Sequence, residues 1–239
     1  MQPQYIQIAE QLRHQIVSGE YPIGKKIPTE NKLAQSLGVS RSTVRHALDL
    51  LTAEERLVRV KGSGTFVAQP KLVHESTSFV TSYREESRKK NRILHTQVIC
   101  LQTEKAGDQI GTALKINSFD IVTRLTRTRY LENMYNNAPV VYTTVYVPLN
   151  LFPEMSQLDF TDISFYDALD RKELSIVHAS RKLEVVIPPT EIAASLGITS
   201  FEPTAYITSI GYTKDKLVVE YTESYYPASR SSFQIEINR

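Results

Sequence analysis

A chain of 239 residues with 41% hydrophobic and 23% charged side chains has an ordinary globular composition, and its length suits one small and one medium domain, since domains cluster near ~100–150 residues. No run approaches the ~20 apolar residues of a membrane helix, and the opening Met-Gln-Pro-Gln-Tyr lacks the charged-then-apolar pattern of a signal peptide, so a cytoplasmic location without membrane contact is expected. The net charge of +2 is unevenly spread: residues 1–70 hold nine Lys+Arg against six Asp+Glu, residues 71–92 six against three, and residues 93–239 thirteen against seventeen. A basic front on a mildly acidic body suggests a nucleic-acid-binding head attached to a domain with another task. Cys100 is the only cysteine; it excludes an intrachain disulfide and a cysteine-built zinc site, and reads as a buried small apolar residue.

From Gln4 to Ser18, Ile8, Leu12 and Ile16 recur every four positions beside Tyr5 and Ala9, which is one face of an amphipathic helix ended by Gly19. After the breaker-rich Tyr21–Pro28 segment, Thr29 caps a short helix carrying Leu33, Ala34 and Leu37, and Gly38 suits the left-handed residue after it. Ser40 caps a third helix with a Val44, Ala47, Leu48 and Leu51 stripe. Two short helices separated by about three residues form a helix-turn-helix, the second being the candidate recognition helix. Its other face carries Arg41, Ser42, Arg45, His46 and Asp49, donors placed where a major groove would lie. Leu57–Lys61 and Thr65–Val67 then read as a hairpin around Lys61-Gly62-Ser63-Gly64, a wing; a phosphate-cradling loop is disfavoured because a strand, not a helix, follows.

The string from Tyr5 to Val67, with Ile27-Pro28-Thr29-Glu30, Val39-Ser40-Arg41-Ser42-Thr43-Val44-Arg45-His46-Ala47-Leu48 and Gly62-Ser63-Gly64-Thr65-Phe66-Val67, resembles the GntR family of bacterial regulators. The resemblance implies double-stranded operator DNA as partner, bound as a homodimer on an inverted repeat, with Thr29, Asn31, Arg41, Ser42, Thr43, Arg45, His46, Lys61, Gly62 and Ser63 as the contacting residues. Members usually carry Arg after the Pro-(Ser/Thr)-Glu element, whereas Asn31 stands here, which weakens or re-aims one contact.

Residues 70–92 read as a linker and the start of a second domain, leaving 1–69 as the head and 93–239 as the body. Strands are expected at Leu94–Gln102, Ile121–Tyr130, Val140–Val147, Arg181–Ile187, Ala205–Tyr212 and Val218–Tyr226, and helices near Asp108–Leu114, Phe165–Asp170 and Thr190–Leu196. Ile110, Leu114 and Ile116 match the spacing of Ile192, Leu196 and Ile198, and Tyr146-Val147-Pro148 recurs as Tyr225-Tyr226-Pro227, offsets of 82 and 79 residues. Such a repeat predicts a duplicated helix-plus-hairpin unit closing into one antiparallel sheet. The fold class is therefore α+β, a winged helix-turn-helix joined to an α/β effector domain. From Ser78 onward the chain resembles the UTRA effector domain of the HutC branch, similar in fold to chorismate lyase.

Arg124, Arg127 and Arg129 share one strand, and alternation puts Arg127 and Arg129 on one face. Two neighbouring guanidiniums repel unless an anion or an acidic partner sits between them; Glu184 and Glu223 are the alternative partners. In sugar-phosphate sensors of the HutC branch the matching Arg pair holds the phosphate, assisted by residues matching Ser164 and Tyr166. The same resemblance sets Tyr83 on the ligand ring, Glu220 on its hydroxyls, Tyr226 and Arg230 on the far wall, and Thr143 where amino-sugar sensors have a second Glu. The implied effector is a phosphorylated sugar whose binding relieves repression of carbohydrate uptake or breakdown genes. The five histidines show no metal-ligand spacing and no nucleophile elbow is visible, so neither a cofactor nor enzymatic activity is expected, although the second domain resembles an enzyme fold.

Overall fold

A computed structural model describes residues 3–69, 71–74, 87–88, 92–132 and 134–235; Tyr83 lies outside them. The chain divides into two compact units, Met1–Pro70 and Lys71–Arg239.

In the first unit α1 (Gln4–Val17), α2 (Glu30–Leu37) and α3 (Arg41–Ala53) bury the expected stripes. Ile8, Ala9, Leu12, Leu33, Val44, Ala47, Leu48 and Leu51 form one core with Ile27, Leu57 and Val67. Both expected caps are made: the Thr29 hydroxyl accepts from Lys32 N at 3.4 Å and that of Ser40 from Thr43 N at 3.1 Å, satisfying helix-end donors. Gly38 turns left-handed at φ 66°, a region that disfavours a Cβ. Strands β1 (Leu57–Val60) and β2 (Gly64–Val67) pair antiparallel, and the preceding segment joins them through Ile27 N to Thr65 O and Val67 N to Lys25 O, both 2.9 Å. Gly64, at φ 125°, lets the Lys26 side chain lie where a Cβ would stand 2.5 Å from its Cε.

The second unit holds a six-stranded antiparallel sheet ordered β4-β5-β6-β9-β8-β7, from β4 (Leu94–Lys105), β5 (Ile121–Leu131), β6 (Val141–Pro148), β7 (His178–Val186), β8 (Thr204–Tyr212) and β9 (Val218–Pro227). The order is palindromic because the chain lays down the same strand–helix–hairpin unit twice. Helix α4 (Gly107–Leu114) corresponds to Thr190–Leu196, named α6 below, and both end alike: Lys115 and Gly197 are left-handed, and Ile116 N reaches Gly111 O as Ile198 N reaches Ala193 O. The cross-strand pair Arg127↔Thr143 likewise corresponds to Ser209↔Thr222, at the sequence offsets of 82 and 79 residues. The repeat seen in the sequence is thus a repeat of structure, and the two halves meet at the β6–β9 seam.

The connection between the halves, with helix α5 (Phe165–Asp170), covers one face of the sheet. Phe152, Met155, Phe160, Phe165 and Leu169 pack there on Leu125, Val145, Val147 and Val219. On the other face Leu114 of α4 packs with Val122, Val218 and Tyr221. Residues 72–74, read in the sequence as part of the connection, are a strand, β3 (Leu72–His74), which pairs in parallel with β10 (Ser231–Phe233). Cys100 is half-buried, with Arg124 Nη2 3.7 Å from its sulfur, and so is not the apolar core residue expected. Among the described residues no helix is long and apolar enough to cross a membrane.

Leu48 is 1% exposed at the centre of the first core. Its replacement by Ala is expected to cost about 2–5 kcal/mol. Circular dichroism in urea measures this, and amide exchange should quicken within residues 3–69 and not in the sheet of the second unit.

Candidate functional site

The outward face of α3 is organised by one carboxylate. Glu30, in the first turn of α2, accepts from Arg45 Nη2 at 2.9 Å and Nε at 3.2 Å, and from Arg41 Nε at 2.9 Å. Arg59 of β1 comes within 4.0 Å of the same carboxylate and pairs with Asp49 at 2.6 Å. Hydrogen bonds from Arg45 and then Arg41 pull the Glu30 carboxyl down to about 2, so it stays ionised at physiological pH. The side chains of Arg41 and Arg45 remain 59% and 50% exposed, available to an approaching ligand. Ser42 and Thr43 oxygens lie 2.8 and 2.7 Å from Ser40 Oγ, and the His46 ring meets Tyr5 edge-on at 6.0 Å. Thr29 is exposed but its hydroxyl is used as the cap, and Asn31 is exposed beside it. Lys61, Gly62 and Ser63 are exposed at the wing tip, with Gly62 at φ 76° and Ser63 N bonded to Val60 O.

In the second unit, alternation and register place Arg127, Arg129, Thr143, Glu220 and Tyr226 on the sheet face that α5 covers. Arg127 is 3% exposed, its guanidinium 5.8 Å from the ring centres of both Phe160 and Phe165, a cation over two aromatic faces. Arg129 Nη1 donates to Thr143 Oγ1 at 3.4 Å. Ser164 is buried and caps α5, accepting from Asp167 N, while Tyr166 on that helix donates to Glu220 Oε1 at 3.0 Å. Thr222 donates to the other Glu220 oxygen at 3.3 Å. Tyr226 stacks edge-on with His74 and Phe233.

Two expectations change. Arg230 is turned elsewhere: its guanidinium donates to the carbonyls of Pro139, Leu196 and Gly197 at 2.5, 2.9 and 3.3 Å, closing the C-terminus of α6. Glu184 and Glu223, the alternative partners for the paired arginines, sit on the opposite sheet face. There Glu184 pairs with Lys182 and Glu223 accepts from Tyr206, Tyr221 and Gln109. Arg124, on that face too, pairs with Glu104 at 3.1 Å.

Glu220 is 1% exposed, and burial pushes its carboxyl up to about 7, against the opposing pull of Tyr166, Thr222, Arg181 and Arg127. Arg181 of β7 is the residue the sequence reading missed. It has no second arginine beside it in its strand, and only the β7–β8–β9 register, Arg181↔Ser209↔Thr222, brings it towards Glu220. Glu30 was missed as well, because a helix-capping segment gives no sign that its acid faces the next helix. The face therefore offers buried or half-buried cations, hydroxyls, one carboxyl and aromatic walls, a set suited to a small polyhydroxylated anion.

A family model described as "UTRA domain" matches residues 89–232, and one described as "Bacterial regulatory proteins, gntR family" matches residues 4–67. The chain belongs to the GntR family of bacterial transcription regulators, in the HutC branch that carries a UTRA domain. The HTH-type transcriptional repressor NagR of Bacillus subtilis is 31% identical over 97% of this chain and 93% of that protein. The mannosyl-D-glycerate transport/metabolism system repressor MngR of Escherichia coli is 28% identical over 99% and 97%. The crystal structure of PhnF from Mycobacterium smegmatis matches with a TM-score of 0.72 at 22% identity, over 96% of this chain and 98% of that one, which is a likeness of fold. The helix-turn-helix is thus a DNA-binding module, the UTRA domain an effector-binding one, and the protein a regulator and not an enzyme.

Because the Glu220 carboxyl holds its proton more tightly in the folded state, about 7 against an ordinary 4.5, its contribution to stability is full below pH 4.5 and is lost as pH rises through 7, by up to about 3 kcal/mol. Glu30 and Glu54, whose carboxyls are depressed, act oppositely and below pH 4.5. Urea unfolding of the ligand-free protein should show stability falling from pH 5 to 7.5, and Glu220→Gln should flatten that slope.

Proposed function

We propose that this protein is a homodimeric repressor of genes for carbohydrate uptake or breakdown, released from an inverted-repeat operator by a phosphorylated sugar. The observation that carries this is the buried Arg127 beside Arg129 on a face with Thr143, Tyr166 and Glu220. Bidentate guanidinium groups match a phosphate, and Glu220, Thr143 and Tyr166 supply donors and acceptors for sugar hydroxyls. Ser164 at the start of α5 and Tyr226 on β9 complete the proposed pocket, whereas Arg230 gives its donors to backbone carbonyls and is left out of it. Thr143 bonds to Arg129 and carries no charge, which favours a neutral sugar phosphate over an amino-sugar phosphate. Relatives named as repressors, one of them of a transport and metabolism system for a sugar derivative, support the regulatory reading.

On the head, Arg41 and Arg45 read base edges from α3 with Ser42, Thr43 and His46 beside them, while Thr29, Asn31, Lys61, Gly62 and Ser63 meet the phosphate backbone. The division into residues 1–69 for DNA, 70–92 for connection and 93–239 for sensing and dimerisation belongs to the same proposal, as does a cytoplasmic location. One winged helix reads only a few base pairs, so specificity calls for two heads on related half-sites. The ligand favours a dimer geometry that no longer fits both half-sites, and by linkage operator and ligand weaken each other's binding.

Replacing Arg127 and Arg129 together by Met tests the pocket. Hexose 6-phosphate affinity should fall at least about 100-fold, since two charge-assisted contacts are lost, while operator affinity stays within about twofold. Calorimetry and fluorescence anisotropy measure the two quantities. A variant that keeps its ligand response would move the pocket elsewhere.

A further inference from the structure

Three guanidiniums and two carboxylates meet on the exposed side of the head, and their arrangement is more specific than a basic patch requires. Arg45 gives Glu30 its Nε and Nη2 hydrogens, at 3.2 and 2.9 Å, and Arg41 gives its Nε at 2.9 Å. A guanidinium is a rigid planar fork, so once one edge is fixed the opposite edge is fixed too. For Arg45 that opposite edge, Nη1 with the second Nη2 hydrogen, is directed away from Glu30, and it is the edge that can take guanine O6 and N7 together. Arg59 from the wing strand lies within 4.0 Å of the same carboxylate and is tied to Asp49 of α3 at 2.6 Å. One acid on α2 thus connects two arginines of the recognition helix with one from the wing.

We propose that Glu30 is a positioning residue for operator reading: it aims Arg41 and Arg45 and thereby sets base selectivity. The inference rests on the reading that these arginines face the duplex. Electrostatics alone argues against an acid here, because a carboxylate among phosphate-seeking arginines weakens attraction to any duplex. Free arginines would track phosphates on every sequence. Held by Glu30, they lose part of that general attraction and keep the contact that depends on the base, which is discrimination bought by a repulsive element. A mere complement to the start of α2 needs the charge of Glu30 but not its reach to two guanidiniums.

The test uses the full chain, a duplex carrying the inverted repeat that the wild-type protein selects from random sequence, and the same duplex with scrambled half-sites. Glu30→Gln should lower the selected-to-scrambled affinity ratio about tenfold. It should also tighten binding to the scrambled duplex and steepen the log–log salt dependence by about one. Glu30→Asp keeps the charge but withdraws the carboxylate by one methylene, so the ratio should fall with the salt slope unchanged. Both variants should stay folded at the assay temperature, with Glu30→Gln melting somewhat earlier because the paired, ionised carboxylate stabilises the fold at neutral pH. If Arg45→Ala lowers the ratio and neither Glu30 variant does, the positioning role is overturned while the DNA-reading helix stands. If Arg45→Ala also leaves the ratio at the wild-type value, the assignment of the helix itself fails. Glu30 variants that weaken both duplexes equally and melt early would make the carboxylate structural, and would overturn the proposal as well.

Discussion

The antiparallel seam between β6 and β9 is the constraint on which the sensing half of the molecule depends. Each strand ends one copy of the duplicated unit, and their pairing, from Tyr142↔Tyr225 to Tyr146↔Tyr221, joins two three-stranded halves into one sheet. Neither half holds the proposed site. The first copy supplies Arg127, Arg129 and Thr143, the second supplies Glu220, Thr222 and Arg181, and the insertion between them supplies Ser164, Tyr166 and the phenylalanine walls. An exact repeat would have made two equal faces. The two halves differ where it matters: the position of Arg129 in the first copy is Gly211 in the second, and that of Val141 is Glu220. A Cβ on Gly211 would stand 2.7 Å from the Glu220 side chain, so the glycine makes room for the buried carboxyl.

Both units gather charges of opposite sign, with different consequences set by burial. Glu220 is buried, and its carboxyl is pushed up to about 7 despite two nearby arginines. Around Glu30 the arginines are half exposed and the carboxyl is drawn down to about 2. Desolvation wins in the first cluster and pairing in the second. The buried cluster is accordingly the one whose charge state a bound anion can change, whereas the exposed cluster presents fixed charge to a polyanion.

Much of this was legible in the sequence where the signal is local. Thr29, Gly38 and Ser40 mark helix ends through backbone chemistry that does not depend on the rest of the fold, and the Val44, Ala47, Leu48 and Leu51 stripe marks the buried side of α3. The strand positions and the repeat offsets followed from periodicity. What escaped was set by register between distant segments. The parallel pairing of three-residue strands at residues 72–74 and 231–233 leaves no pattern in so short a run. Arg181 reaches the site across two strand pairings, and Arg230, although a polar residue near the expected pocket, is captured by three carbonyls exposed at a helix end and a loop. The sequence showed that arginines 127 and 129 share a face; only the register showed that Glu184 and Glu223 lie on the other one.

In the proposed function, one chain couples a phosphate-dependent pocket to operator binding. Titration calorimetry of hexose 6-phosphate into the full chain, free and then saturated with operator duplex, measures that coupling. The operator should weaken sugar-phosphate binding by the same factor, typically about 5–150-fold, by which the sugar phosphate weakens operator binding, and the unphosphorylated hexose should give little heat in either titration. Equal affinities in the two titrations, or binding of the unphosphorylated hexose as tight as that of its phosphate, would contradict it.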